Sequence, residues 1–125
     1  MNLDKNYLKQ FIKATEIAAY GASLFTGKGD KNGADKSAVD LMRAELNKID
    51  MEGTIVIGEG EMDEAPMLYI GEKVGTKKGS SLDIAIDPVE GTNFVAQNLP
   101  NAFSVLAVAQ KGSLLAAPDT YMEKI

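Results

Sequence analysis

Apolar residues recur at helical spacing through the first fifty positions of the chain. A first run follows Asp4, the candidate N-cap, and ends at Gly27 and Gly29. A second run follows a loop rich in glycine and charge, with Asp35 standing where an N-cap is expected. The spacing predicts two amphipathic helices, the first with a small-residue middle that permits close packing. The positions that carry the two patterns are Leu8, Phe11, Ile12, Thr15, Ala18, Ala19, Ala22 and Phe25, then Val39, Met42, Leu46 and Ile49.

Beyond residue 53 the pattern changes to short apolar runs that are typical of strands. Residues 54–57 and 82–86 predict two buried strands, which end at Gly58 and at Asp87-Pro88. Residues 102–110 predict another strand, and Lys111-Gly112 predicts a tight turn into a hairpin partner at 113–117. Two long helices followed by a mixed or antiparallel sheet predict an α+β fold, a layered α/β sandwich. The whole chain, 1–125, is expected to form a single domain.

The composition narrows the chemistry that such a domain can perform. The chain has 125 residues, no cysteine, no histidine and a net charge of −5. The missing residue types exclude disulfides, thiol nucleophiles, imidazole or thiolate zinc sites and histidine-based triads. The acidic balance argues against nucleic acid or an anionic membrane as partner, and no membrane-spanning run or signal peptide is evident. A cytoplasmic location is therefore expected.

Acidic residues recur where predicted elements give way to loops. They form three groups: Asp35, Glu59 with Glu61, and Asp87 with Glu90. Neighbouring carboxylates repel one another unless a cation lies between them, and hard cations such as magnesium prefer oxygen ligands. After Asp87 come Gly91, which lets a backbone approach a ligand, and Thr92, whose hydroxyl is placed to cap a helix over 93–96. These features favour metal-assisted hydrolysis of a phosphate ester.

Each feature also has a structural interpretation, which the residues alone leave open. Asp35 is also explained by helix capping, and the acidic run at 59–64 by a solvated loop. Lys28 and Lys31 belong to a surface loop or offer charge to a phosphate. The stretch around Asp87 reads as a strand, a turn and a capped helix.

Several stretches resemble the bacterial class II fructose-1,6-bisphosphatases, of the lithium-sensitive, metal-dependent sugar phosphatase superfamily. The string GTIVIGEGE at 53–61 is the most specific, whereas the short motif DPVEGT at 87–92 is shared with inositol monophosphatases. The resemblance runs from near the N-terminus to the last residue. The other stretches that match the family are residues 29–32 with 34–35, 63–72 and 117–124.

The resemblance implies the N-terminal, metal-binding part of the sugar phosphatase fold and the hydrolysis of the 1-phosphate of fructose 1,6-bisphosphate in gluconeogenesis. It implies Mn²⁺ or Mg²⁺ as cofactor, a sugar bisphosphate as substrate and a homo-oligomer, a dimer or a tetramer. Some relatives also accept sedoheptulose 1,7-bisphosphate. The implied metal ligands are Asp35, Glu59, Asp87 and Glu90. The implied catalytic residues are Asp35, Glu59 and Thr92. The implied substrate contacts are Glu90, Gly91, Thr92 and Tyr121.

Family members are roughly two to three times as long as this chain, in the range of large α/β enzymes. The missing part supplies most of the basic residues that grip the substrate, and Arg43 is the only arginine here. The alternative is therefore a catalytically silent metal- or phosphate-binding module that needs a C-terminal half. A purely structural α+β domain is a third possibility, which the resemblance makes remote. An uncovered apolar face is also expected, with self-association or low solubility as its result.

Overall fold

The computed structural model describes residues 5–62, 65, 67–117, 122–123 and 125. Two helices come first in this structure, and a four-stranded sheet with one short helix follows them. Asp4, the predicted cap of the first helix, lies outside the described residues. The elements are α1 (Lys5–Ser23), α2 (Lys31–Leu46), β1 (Met51–Ile57), β2 (Lys73–Val74), β3 (Ser80–Glu90), α3 (Thr92–Ala96) and β4 (Phe103–Gln110).

The sheet is mixed, with the strand order β2-β1-β3-β4. β1 and β3 run parallel in the middle, while β2 and β4 pair antiparallel on the outside. Two long helices followed by a mixed sheet confirm the predicted α+β class. The parallel pair matters for function, because the carboxyl ends of two adjacent parallel strands lie at the same edge of the sheet.

The two long helices pack on each other and on one face of the sheet. Small residues let them approach closely: a Cβ at Gly21 would lie 2.7 Å from Leu41 Cδ1 and 3.0 Å from the carbonyl oxygen of Ser37. Phe11 of α1 and Met42 of α2 belong to the same buried cluster as Ile84 of β3. The small-residue middle of α1 therefore has the close-packing role that its alanines predicted.

Three expectations about local structure were wrong. Leu8 and Ile12 are 59% and 48% exposed, because the buried stripe of α1 runs through Phe11, Ala14 and Ala18 instead. The strand predicted at 54–57 begins earlier, at Met51, and residues 113–117 contain no strand. The two-residue strand β2 corresponds to none of the predicted strands.

β3 does not end at Asp87-Pro88 as predicted but continues to Glu90. Its pairing with β4 shifts register between Asp87 and Glu90, which face Val105 and Phe103 respectively. The shift leaves an extra residue on β3, and a bulge of this kind tolerates a proline that has no N–H for the ladder. The strand thus passes through Pro88 and turns only at Gly91.

Part of the sheet's second face is apolar and exposed. Phe103 and Val105 alternate with the core-facing residues of β4 and are 56% and 45% exposed. The uncovered apolar face that was expected is therefore present, whereas the self-association expected from it stays a prediction. In the part of the chain that the structure describes, no helix is long and apolar enough to cross a membrane.

Candidate active site

A cavity of about 460 Å³ lies where β1 and β3 end beside the start of α2. Its wall combines acidic, amide, hydroxyl and ammonium groups with a few aliphatic side chains. Three of the predicted metal-ligating residues and the predicted catalytic threonine belong to this wall. The residues that line the cavity are Lys31, Asn32, Asp35, Ile57, Gly58, Glu59, Ile86, Asp87, Val89 and Thr92.

The parallel pairing of β1 with β3 explains why residues far apart in sequence meet here. Glu59 lies two residues beyond the end of β1, and Asp87 lies near the end of β3. The pairs Ile55 with Ile84 and Ile57 with Ala85 align the two strands up to this edge. The sequence placed acidic residues at the ends of two strands, and the topology brings both strand ends to one cavity.

The first turn of α2 brings the third group of side chains. Asp30 is the N-cap of this helix, and its Oδ1 accepts a hydrogen bond of 2.8 Å from the N–H of Gly33. A Cβ at Gly33 would collide with Asp30 and with the ring of Phe25, so glycine is required at this place. Asp35 is therefore inside the helix, and its predicted capping role is wrong. This placement lets Asp35 line the cavity.

Asp35 and Glu59 form a carboxyl pair in the cavity wall. Burial raises the pKa of Asp35 above its usual value, and the hydrogen bond between its side chain and Glu59 opposes part of that rise. Two carboxyl groups share a hydrogen bond only when one of them holds a proton. A raised pKa is the expected behaviour of a carboxyl that is removed from water.

Thr92 and Asp87 also line the cavity, whereas Glu90 and Gly91 do not appear in its wall. The side chain of Glu90 is exposed. Gly91, with φ of 90°, is the N-cap of α3, and Thr92 is the first residue of that helix. No side-chain hydrogen bond caps the helix. The predicted capping role of Thr92 is therefore wrong, because its hydroxyl does not cap α3. Tyr121, the predicted sugar-phosphate contact, lies outside the described residues.

The donor set of the cavity suits a hard divalent cation. Every acidic group in the wall offers oxygen, and Mg²⁺ is bound in many enzymes by one or two carboxylates together with waters and substrate phosphates. Within residues 5–62, 65, 67–117, 122–123 and 125, no group of three acidic side chains is close enough to hold a metal ion. The residues therefore fit a cation held by the Asp35–Glu59 pair and completed by non-protein oxygens.

Some wall residues were not singled out by sequence reasoning. Asn32 follows Lys31 in the first turn of α2, and both line the cavity. The sequence makes Lys31 a candidate phosphate contact, whereas Asn32 is marked only by its place in the stretch 29–32 that matches the family. Hydrogen bonds hold the loop before α2 against α3. The N–H groups of Gly27 and Gly29 donate to the carbonyls of Val95 and Ala96, both at 2.9 Å.

Comparison with known proteins identifies the family of the chain. The family model described as bacterial fructose-1,6-bisphosphatase, glpX-encoded, matches residues 5–125. The chain belongs to this family. It is thus a member of the group that the strings at 53–61 and 87–92 resemble, and the family prediction is confirmed.

Curated relatives agree with this assignment. The chain is 58% identical over 116 residues to fructose-1,6-bisphosphatase 1 class 2 of Escherichia coli K12, covering 93% of this chain and 34% of the relative. It is 54% identical over 116 residues to fructose-1,6-bisphosphatase class 2 of Haemophilus influenzae, covering 93% and 35%. It is 49% identical over 123 residues to the D-fructose 1,6-bisphosphatase class 2/sedoheptulose 1,7-bisphosphatase of Synechococcus sp. CC9902, covering 98% and 37%. The chain spans about a third of the length of these relatives.

Proposed function

We propose that this chain is the metal-binding part of a class II fructose-1,6-bisphosphatase. The reaction is hydrolysis of the 1-phosphate of fructose 1,6-bisphosphate to fructose 6-phosphate and phosphate. The observation that carries the proposal is one cavity that gathers Asp35, Glu59, and Asp87 with Thr92 from three separate segments. The names of the E. coli and Haemophilus relatives support the substrate.

Asp35 and Glu59 would hold the divalent cation, Mn²⁺ or Mg²⁺. Asp87 and Glu90, the other ligands that the resemblance implies, form no three-carboxylate group with this pair among the described residues, and they are proposed to join the pair when the cation is bound. A bound cation of this kind polarises a phosphoryl oxygen and lowers the pKa of a water. Thr92 offers a hydroxyl that orients the attacking water beside the phosphate. Glu90, Gly91, Thr92 and Tyr121 contact the substrate.

Lys31 supplies positive charge in a cavity whose other charged groups are acidic. An ammonium group acts as a point charge for a phosphate and leaves its orientation to other contacts. Most of the contacts with the sugar are therefore expected from parts of the relatives outside the third of their length that this chain matches. Sedoheptulose 1,7-bisphosphate is a second substrate, which the name of the Synechococcus relative supports.

A second function is a metal- or phosphate-binding module without turnover of its own. The observation that favours it is the wall of the cavity, whose charged groups are three acidic residues and one lysine. Hydrolysis needs the complete set of positioned groups, whereas cation binding needs only the carboxyl ligands. The cytoplasmic location and the homo-oligomer remain predictions.

The first experiment measures phosphate release from fructose 1,6-bisphosphate by the purified chain with Mn²⁺ or Mg²⁺, and with a chelator as control. Turnover that depends on the metal would support the enzyme. Cation binding without turnover would favour the silent module. A chain that shows neither turnover nor cation binding would contradict both functions.

Asp87→Ala tests the site directly. We expect weaker Mn²⁺ binding and little change in the urea midpoint, since this carboxylate acts on the cation. Glu16→Ala is the matched control, because Glu16 is an exposed acidic residue of α1. A purely structural role predicts the opposite pattern, a stability loss of about 1 kcal/mol, typical of a lost hydrogen bond, and unchanged Mn²⁺ binding.

A further inference from the structure

Glu72 is a buried acidic residue outside the cavity, and both of its carboxylate oxygens are engaged. It is only 5% exposed. Nε of Arg43 donates to its Oε1 at 2.8 Å, and the N–H of Leu68 donates to its Oε2 at 2.6 Å. A carboxylate held by a guanidinium and a backbone donor has a fixed position, since charge-assisted hydrogen bonds are short and strong. Glu72 thus links α2 to the segment around Leu68.

Leu68 has a backbone conformation that its residue type rarely adopts. Its φ is 54°, in the left-handed region, and its side chain is fully buried. A branched residue stays in this region only where the surrounding structure determines it. The bond from the Leu68 N–H to Glu72 is such a determinant, so Glu72 fixes the direction of the neighbouring Leu68 carbonyl.

The Leu68 carbonyl in turn holds the backbone of Glu59. The N–H of Glu59 donates to this oxygen at 2.9 Å, and the N–H of Ile70 donates to the carbonyl of Gly60 at 2.8 Å. Gly58 packs so closely on the Leu68 carbonyl that a Cβ has no room there. The residues on both sides of Glu59 are therefore placed by the segment that Glu72 anchors.

The contacts close a ring, because Arg43 lies on α2, the helix that also carries Asp35. We infer that Glu72 is a positioning residue: together with Arg43 it sets where the Glu59 carboxyl stands relative to Asp35. Glu72 itself does not line the cavity. The inference rests on the proposed function, in which the Asp35–Glu59 pair holds the cation.

The test compares Mn²⁺ affinity in three chains: the unaltered chain, Glu72→Gln and Glu45→Gln. Glu45 is the matched control, since it also lies on α2 and forms ion pairs, with Lys13 at 3.4 Å and Lys48 at 2.6 Å. We expect Glu72→Gln to weaken Mn²⁺ binding about tenfold or more, the usual cost of losing an outer-shell partner. We expect Glu45→Gln to leave the affinity unchanged. The electron paramagnetic resonance signal of free Mn²⁺ gives the affinity.

A second measurement separates positioning from general stability. In the metal-free chain, Glu72→Gln should change the amide chemical shift of Glu59 and speed the hydrogen exchange of that amide. Glu45→Gln should leave both as they are, whatever it does to the unfolding midpoint. If Glu72→Gln fails to fold, Arg43→Lys replaces it, because lysine keeps the charge and loses the planar donor. The same two losses, smaller in size, are then expected.

Unchanged Mn²⁺ affinity in a folded Glu72→Gln chain, or an equal loss in Glu45→Gln, would overturn the inference. Asp35→Asn shows which proposal has failed. If Asp35→Asn removes Mn²⁺ binding while Glu72→Gln retains it, the positioning role alone is wrong. If Asp35→Asn leaves binding intact, or the unaltered chain binds no Mn²⁺, the proposed function is wrong and the inference with it.

Discussion

Glu72 and Asp35 are both buried or half-buried acidic residues. Glu72 contacts α2 and Asp35 lies in that helix, but the groups that surround the two carboxyls have opposite charge. Glu72 meets a guanidinium and a backbone N–H. Asp35 meets the carboxyl of Glu59, and burial raises its pKa. An acid beside a cation supports the fold, whereas two acids side by side disfavour their own charged state. The contrast supports the proposal that the Asp35–Glu59 pair, and not Glu72, accepts a cation from outside.

Removal of the Arg43 guanidinium should produce the largest loss of stability. Arg43→Met leaves the Glu72 carboxylate buried without its cation, and we expect a loss of about 3 kcal/mol in the free energy of unfolding. Urea titration measures it. Addition of Glu72→Gln to the same chain should recover part of the loss, because the buried charge is then gone. A loss below about 1 kcal/mol would mean that the pair behaves like an exposed salt bridge.

Gly58→Ala should disturb the contact between the backbone beside Glu59 and the Leu68 segment that Glu72 anchors. The new methyl group would overlap the Leu68 carbonyl and lie 2.6 Å from Cγ2 of Ile55. We expect a stability loss of about 1–3 kcal/mol, the range for overpacked interiors, together with weaker Mn²⁺ binding since Glu59 is the next residue. Urea titration and the Mn²⁺ signal give the two values. An unchanged urea midpoint would contradict the close approach of residues 58 and 68.

Asp35→Asn should have the smallest effect on stability and the opposite sign. Because the pKa of Asp35 is raised in the folded state, the folded chain binds this proton more tightly than the unfolded chain does. Stability is therefore lost as the pH rises from the ordinary aspartate pKa through the raised value. In the presence of a chelator, Asp35→Asn should raise the melting temperature at pH 7.

The gain from Asp35→Asn should shrink as the pH is lowered toward the ordinary aspartate pKa, since the unaltered carboxyl is then protonated as well. Thermal melts at several pH values follow this trend. Lys36→Gln provides the control, because it alters a neighbouring exposed ion pair with Asp40 without touching the carboxyl pair. A lower melting temperature for Asp35→Asn at pH 7 would contradict the sign.

The main features of the fold and the cavity could be predicted because they depend on local patterns. Helical spacing and β-branched runs gave the two long helices and β1, β3 and β4, and strand ends located Glu59 and Asp87. The choice between Asp30 and Asp35 as N-cap could not be made from residue type, since both are aspartates before a helical run. It depends on Gly33, which leaves room for Asp30 to accept its N–H.

Other features depend on contacts between distant segments and leave no local pattern. β2 exists because Lys73 and Val74 pair with the free edge of β1. Pro88 is accepted in β3 because the register shifts at that place. Glu72 resembles a surface acid in sequence, and only its contact with Arg43, twenty-nine positions away, reveals its role.

The parallel pairing of β1 with β3 also has a consequence for the order in which the chain folds. Met51 pairs with Ser80 and Ile55 with Ile84, so the intervening segment must be gathered into a loop before this pair can form. Such non-local pairings lose loop-closure entropy before any contact stabilises them, whereas elements close in sequence, such as α1 and α2, are expected to pack early. The cavity requires both strand ends, so we expect it to form after the helix pair. If the cavity holds a cation as proposed, we expect cation binding to report that this non-local strand pair has formed.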